Sequence, residues 1–174
     1  MLIVLGGLPG VGKTTIAREL ARAIGAVHVR IDSIEQAIRT SSVGAVAMED
    51  AGYRVGYAVA GDNLRLGRDV IADSVNPLPV TRDAWVAVAA VAGVPAIEIE
   101  VACSDSREHR RRVEERDVDV PGLALPSWND VVEREYRAWQ RASLVIDTAN
   151  RTSAECIAEI LQHFAAAGVK ASGK

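Results

Sequence analysis

Short apolar runs alternate along the chain with longer segments whose apolar positions recur every three or four residues. Leu2-Ile3-Val4-Leu5 is continuously apolar, as strands are when both faces of a sheet are covered. Val27 to Ile31 alternates and predicts a second strand ending at Asp32. Asp69 to Asp73, Ala96 to Val101 and Ser143 to Asp147 complete a set of five strands. Between the first two, Ile16, Leu20 and Ile24 share one helical face, and Gly25 stops that helix.

The other helical patterns follow in order. Ser33 is placed to cap a helix through about Arg39, and Ser41 to Ala47 is small and irregular. A long helix is expected from about Met48 to Leu66, with Tyr53, Tyr57, Ala60 and Leu64 on one stripe. Gly52, Gly56 and Gly61 weaken it. Thr81 to Val91 reads as a helix ended near Gly93. Asp105 and Glu108 have capping-box spacing and open a helix through Arg116. Asp117 to Pro126 is a loop. Ser127 and Asp130 then start a helix carrying Trp128, Val132, Tyr136 and Trp139. A last helix runs from about Ser153 to Ala167, and residues 168–174 are expected to fray. Strands alternating with helices imply right-handed crossovers and a parallel sheet with helices on both faces, an α/β three-layer sandwich. Residues 1–174 contain no repeat or linker that would divide them, so one domain is expected.

Composition narrows the partners. The net charge is −3, which argues against a nucleic-acid partner, although arginines cluster between Arg107 and Arg116. Cys103 and Cys156 lack metal-ligand spacing and read as reduced core thiols of a cytoplasmic protein. No apolar run approaches the ~18 residues of a membrane span. The run Leu2 to Leu5 ends in a glycine loop, which marks a strand and not a signal peptide.

The chemistry is concentrated in Gly7-Leu8-Pro9-Gly10-Val11-Gly12-Lys13-Thr14, which matches G-x-x-x-x-G-K-[ST] at every fixed position. Glycines let successive backbone N–H groups turn inward on phosphate oxygens, and the following helix presents its positive end to the same anion. Lys13 is expected at the β- and γ-phosphates and the Thr14 hydroxyl on Mg²⁺, with Thr15 completing the nucleotide site. The dinucleotide fingerprint G-x-G-x-x-G is absent. Asp32 and Asp73 end neighbouring strands, where open parallel sheets place their ligands. Asp32 is the candidate base toward an acceptor hydroxyl, and Asp73 the second Mg²⁺-holding residue. Ser74, Asn76 and Arg82 are candidates to line the acceptor pocket.

The segment Arg107 to Arg116 reads mostly as a solvated helix laced by pairs such as Glu108–Arg112, with His109 on its surface. Arg112 and Arg116 are four apart on one face. They are candidates to bring positive charge over a transferring phosphoryl group from a lid at about 107–127.

Together these residues resemble the small P-loop kinases of the shikimate, gluconate and chloramphenicol 3-O-phosphotransferase type, and most closely the bacterial AAA-type predicted kinases. The resemblance rests on residues 7–14, on Arg30-Ile31-Asp32-Ser33, on Val70 to Pro77, and on the arginine helix leading to Pro121-Gly122-Leu123 and Trp128. It implies ATP and Mg²⁺, a sheet in the order 2-3-1-4-5, Asp32 as base, and lid arginines near Arg112 and Arg116. It also implies an acceptor region over about 33–67, where Tyr53, Arg54, Tyr57, Asp62 and Asn63 offer contacts. The expected activity is transfer of the γ-phosphoryl group of ATP to a hydroxyl of a small molecule, by a monomer or homodimer. The alternatives are a polynucleotide 5′-hydroxyl kinase, which would need a basic channel, and a P-loop ATPase or switch module.

Overall fold

A computed structural model describes residues 1–41, 50–142 and 144–169. Strand β1 (Leu2–Gly6) is followed by α1 (Lys13–Ile24), β2 (Val27–Arg30), α2 (Ile31–Thr40) and α3 (Ala51–Arg65). Then come β3 (Val70–Asp73), α4 (Pro79–Val91), β4 (Ala96–Ala102), α5 (Ser106–Glu114), α6 (Trp128–Val132), β5 (Leu144–Asp147) and α7 (Ser153–Ala166). The strands form one sheet in the order β2-β3-β1-β4-β5, and every pairing is parallel. The sequence patterns and the resemblance lead to this α/β three-layer arrangement and strand order.

The pleat of β1 divides the core. Ile3 and Leu5 point to one face and pack with Ile16, Leu20 and Ile24 of α1 and Ile157, Ile160 and Phe164 of α7. Leu2 and Val4 point to the other and meet Ala60 and Leu64 of α3 and Trp85 and Ala89 of α4. Burial on both faces is why β1 carries no polar position. No helix among the described residues is long and apolar enough to cross a membrane. The expected irregular stretch from Ser41 lies almost wholly outside the described residues, as do the first residues of the expected helix at Met48 and most of the tail.

Several boundaries differ from the sequence reading. The helix expected from Ser33 begins at Ile31, so Asp32 lies in the first turn of α2 and does not end a strand. Ile31 is 2% exposed, and its side chain fills the space left by the missing Cβ of Gly56, beside Trp85. Burying Ile31 therefore sets the turn into the helix. Gly56 has low helix propensity but lets α2 and α3 approach closely, and Gly52 does the same for Glu35. The other early start is at Pro79, whose missing N–H costs nothing in a first turn.

The largest difference is after α6, which ends at Val132, so Tyr136 and Trp139 are not on a helix. Arg82 is the reason. It is 4% exposed, and its guanidinium donates to the carbonyls of Asn76 (2.9 Å), Pro77 (3.0 Å), Ala138 (3.2 Å) and Arg137. Its charge also lies 4.4 Å from the Trp139 ring centroid and 5.4 Å from that of Tyr136. Carbonyls that a continued helix would use are thus held by a side chain of α4. Asn76 is fully buried at φ 48°, donating to the Leu5 carbonyl (2.8 Å) and accepting from Trp85 Nε1 (3.2 Å). Arg82 and Asn76 are therefore structural ties and do not line an acceptor pocket.

Arg82→Met should leave several part-buried carbonyls without donors at about 1–3 kcal/mol each. We expect a loss of about 2–4 kcal/mol in urea unfolding. A change within 0.5 kcal/mol, the range of ordinary surface substitutions, would contradict this role.

Candidate active site

The loop between β1 and α1 is built as its glycines predict. Gly7, Gly10 and Gly12 have φ of 139°, 85° and 94°, and a Cβ on Gly7 would collide with the Val101 carbonyl. Gly12 is the left-handed N-cap of α1, so Lys13 is the first helical residue. The underside of the loop is fixed by neighbours distant in sequence. Val11 is buried in the core, and Leu8 packs against it. Thr148, after β5, has its hydroxyl 2.9 Å from the Val11 carbonyl and 3.1 Å from that of Ala102. His109 of α5 has Nε2 2.8 Å from the Pro9 carbonyl and stands edge-on to Trp128.

His109 is 6% exposed, so the expectation of a surface histidine is corrected. Its face of α5, shared with Val113, packs on the loop. The opposite face is solvated as predicted, with Arg110–Glu114 and Arg111–Glu115 pairs at 2.8 and 3.0 Å. Asp105 caps this helix, but Glu108 does not return the bond. Its carboxylate instead accepts from Arg112 (2.5 Å) and the Asn150 N–H (2.8 Å).

Above the loop lies a cavity of about 710 Å³. Pro9, Gly10, Gly12, Lys13, Thr14 and Thr15 line it, as do Asp32, Asp73, Arg112 and Arg116. Gly7, Leu8 and Val11 lie behind this lining. Lys13 is 8% exposed and donates to the Leu8 carbonyl at 2.8 Å. Burial lowers its pKa to about 8, against the pull of Asp73 and Asp32, with Arg116 and Arg134 adding to the lowering.

Asp73 is 3% exposed and accepts from His28 Nε2 at 3.1 Å. Burial pushes its carboxyl up. The hydrogen bond from His28, the charges of Lys13 and His28, and the Thr14 hydroxyl outweigh that, leaving its pKa below the ordinary carboxylate value. Asp32 is 3.5 Å from Arg30 Nη2 and sits at the positive end of α2, where a carboxylate is favoured.

Arg112 donates to Thr148 Oγ1 (2.8 Å) and the Thr148 carbonyl (3.0 Å), which fixes its guanidinium beside Gly12. Arg116 lies beyond the end of α5 at Glu114, so the two arginines do not share a helical face, although both line the cavity. Of the expected acceptor contacts, Tyr53 lines the cavity with Ser74. Tyr57 packs edge-on against Trp85. Arg54, Asp62 and Asn63 are bound to residues of their own helix or its N-cap.

His28, Asp119 and Arg134 are among the groups at this site that the sequence did not single out, and Arg30 entered only as part of the run Arg30-Ile31-Asp32-Ser33. Asp119, in the loop after α5, accepts from Arg30 Nη1 (2.7 Å) and Nη2 (3.1 Å) and from Arg18 (2.7 Å). Those bonds outweigh its desolvation and hold its carboxyl down at about 2. Arg134, after α6, lines the cavity near Lys13 and Glu35. The polar His28 and Arg30 in an otherwise apolar strand were the available signals.

A parallel sheet in this order, with a Walker-type loop after its first strand and acids beside it, defines a P-loop kinase-like fold. The AAA_33 family (AAA domain) matches residues 2–134, and the chain belongs to it. Among solved structures, Kti12 of Chaetomium thermophilum in complex with ADP-AlF3 is similar, with 21% identity, 94% of this chain and 98% of that chain covered, and a TM-score of 0.69. The APS kinase CysC of Mycobacterium tuberculosis in complex with AMPPNP and APS has 17% identity, coverage of 94% and 96%, and a TM-score of 0.65. A gluconokinase from Sinorhizobium meliloti 1021 has 19% identity, coverage of 95% and 91%, and a TM-score of 0.64. At these identities the likeness establishes the fold. No curated protein matches the chain.

Proposed function

We propose that this protein transfers the γ-phosphoryl group of ATP to a hydroxyl of a small molecule. The observation that carries the reading is the meeting of Asp32 with Lys13, Thr14 and Asp73 around one cavity. An ATPase needs the phosphate loop and the acid behind it, but has no need of a second carboxylate, Asp32, facing the loop across the same cavity.

In this mechanism the loop N–H groups and Lys13 hold the phosphates. Thr14 and Asp73 fit Mg²⁺, because they are adjacent oxygen donors at the cavity wall and His28 orients the carboxylate. Bound there, Mg²⁺ would neutralise charge on the β- and γ-oxygens. Asp32 orients the acceptor O–H and takes its proton as oxygen bonds to the γ-phosphorus and the bond to the ADP oxygen breaks. Arg112, Arg116 and Arg134 supply positive charge around the transferring group. ADP and AMPPNP in complexes of similar proteins support nucleotide in this place, as APS kinase and gluconokinase support a small acceptor.

The reading is tested by an ATP-consumption screen over sugars, sugar acids, nucleosides and antibiotic alcohols, with a 5′-hydroxyl oligonucleotide as a further arm and Lys13→Ala as control. Acceptor-stimulated ADP formation with one small-molecule class is expected. Stimulation by the oligonucleotide alone would overturn the small-molecule reading.

The pKa of about 8 for Lys13 makes a separate prediction. Phosphate contact requires the ammonium form, so above pH 8 nucleotide binding must take up a proton. Affinity should therefore fall as pH rises through 8. Calorimetry at pH 8.5 in buffers of different ionisation heat should show net proton uptake, growing from pH 7 to pH 8.5. Binding heats independent of the buffer would contradict it.

A further inference from the structure

Arg30 ends β2 with its side chain 4% exposed, and both its Nη atoms donate to the Asp119 carboxylate at 2.7 and 3.1 Å. Its Nε is buried and has no hydrogen-bond partner among the described residues. The same carboxylate accepts from Arg18 of α1 at 2.7 Å, and Arg116 lies 3.9 Å away. Three guanidinium groups thus converge on one carboxylate, and Asp32 is 3.5 Å from Arg30.

This constellation belongs to the cavity. Asp119, Arg18, Arg116 and Asp32 all line it, and Arg30, outside the lining, reaches it through Asp119. A planar fork presented to two carboxylate oxygens is the arrangement by which arginine recognises carboxylate, sulfate or phosphate. Asp119 is carried on a loop whose one hydrogen bond to α2 among the described residues runs from Gln36 to the Pro121 carbonyl at 3.3 Å. Val118, beside it, is 53% exposed, so apolar burial does little to hold the loop down. An ionic contact of this kind is exchangeable for another anion, because the arginines keep an equivalent partner throughout.

The geometry points to Arg30 and Arg18 as the recognition site for an anionic group on the acceptor, with Asp119 standing in for that group. The acceptor class is then a hydroxylated small molecule bearing a carboxylate or a phosphate or sulfate ester. Its anionic end lies on Arg30, and its hydroxyl lies toward Asp32 and Lys13. That this anion belongs to a phosphoryl acceptor rests on the phosphotransfer reading, whereas the anion site stands on the arginine geometry.

Two arms keep the two claims apart. In the first, protein saturated with Mg²⁺ and ADP is titrated with inorganic sulfate, and separately with acetate, by calorimetry. Asp119→Asn should bind sulfate at least about tenfold more tightly than the parent. Adding Arg30→Lys, which keeps the charge but removes the fork, should abolish the gain. Equal sulfate affinity in the parent and Asp119→Asn, or a gain that survives Arg30→Lys, overturns the proposal. Whether acetate behaves as sulfate does separates a carboxylate from an ester as the group recognised.

In the second arm, gluconate is compared with sorbitol, and glycerol 3-phosphate with glycerol, as acceptors. The anionic member should be favoured about 100-fold or more in kcat/KM. Arg30→Lys should raise its KM at least tenfold while leaving the KM for ATP unchanged. Equal use of charged and neutral members overturns the proposal. No transfer to any acceptor, with the sulfate result intact, supports the anion site and overturns the phosphotransfer reading instead.

Discussion

Asp32→Asn should lower kcat by at least about 10²-fold with the true acceptor while leaving ATP affinity within about twofold. The substitution keeps the shape of the side chain and its place in the first turn of α2, so what is removed is the ability to take a proton. Proton acceptance by a positioned group contributes about 10²–10⁴-fold. The lower end applies because phosphoryl transfer passes through a loose transition state, in which the nucleophile loses its proton late. Asp73 and the loop amides are untouched, so nucleotide binding should be preserved. Steady-state kinetics with a parallel calorimetric titration of ATP checks both halves. Turnover near that of the parent would remove Asp32 as the base.

Lys13→Ala should be the more damaging change, with kcat/KM reduced about 10³-fold or more and ATP binding itself weakened. Stability should move the other way. The Lys13 ammonium is 8% exposed, and burial lowers its pKa to about 8, so the folded state holds this charge at a cost. The unfolded chain keeps the lysine proton up to the ordinary value, so between about pH 8 and 10.5 it binds more protons than the folded protein. Stability contributed by this group therefore rises with pH across that window, and Lys13→Ala should abolish the rise. At pH 7 the variant should be at least as stable as the parent by urea unfolding. A variant both inactive and markedly less stable would mean that Lys13 holds the loop together through its bond to the Leu8 carbonyl.

What the sequence revealed about this site follows from how local each feature is. The loop from Gly7 to Thr14 is set by contiguous residues, since three glycines at fixed spacing dictate its backbone. The strand runs were equally legible, because burial on both faces leaves them apolar. Asp73 could be assigned to a strand end for the same reason. Asp32 could not, because the start of α2 is decided by Ile31 settling against Gly56, 25 residues further on. The segment after α6 looked helical because Trp128, Val132, Tyr136 and Trp139 have helical spacing. Arg82, more than 50 residues earlier, takes its carbonyls instead. His109 was lost among arginines because nothing nearby in sequence marks a bond to the carbonyl of Pro9. Arg30 and Asp119 are 89 residues apart, and although Arg30 belongs to the run Arg30-Ile31-Asp32-Ser33, nothing in that run points to Asp119; only the fold brings them together.

In the proposed reaction the γ-phosphoryl group goes to an acceptor hydroxyl and not to water. The most direct measurement is the phosphorus balance of a complete reaction with a stimulating acceptor, followed by ³¹P NMR. One phosphate monoester on the acceptor is expected for each ADP formed, with little inorganic phosphate. ADP matched by inorganic phosphate alone, with the acceptor recovered unchanged, would contradict it.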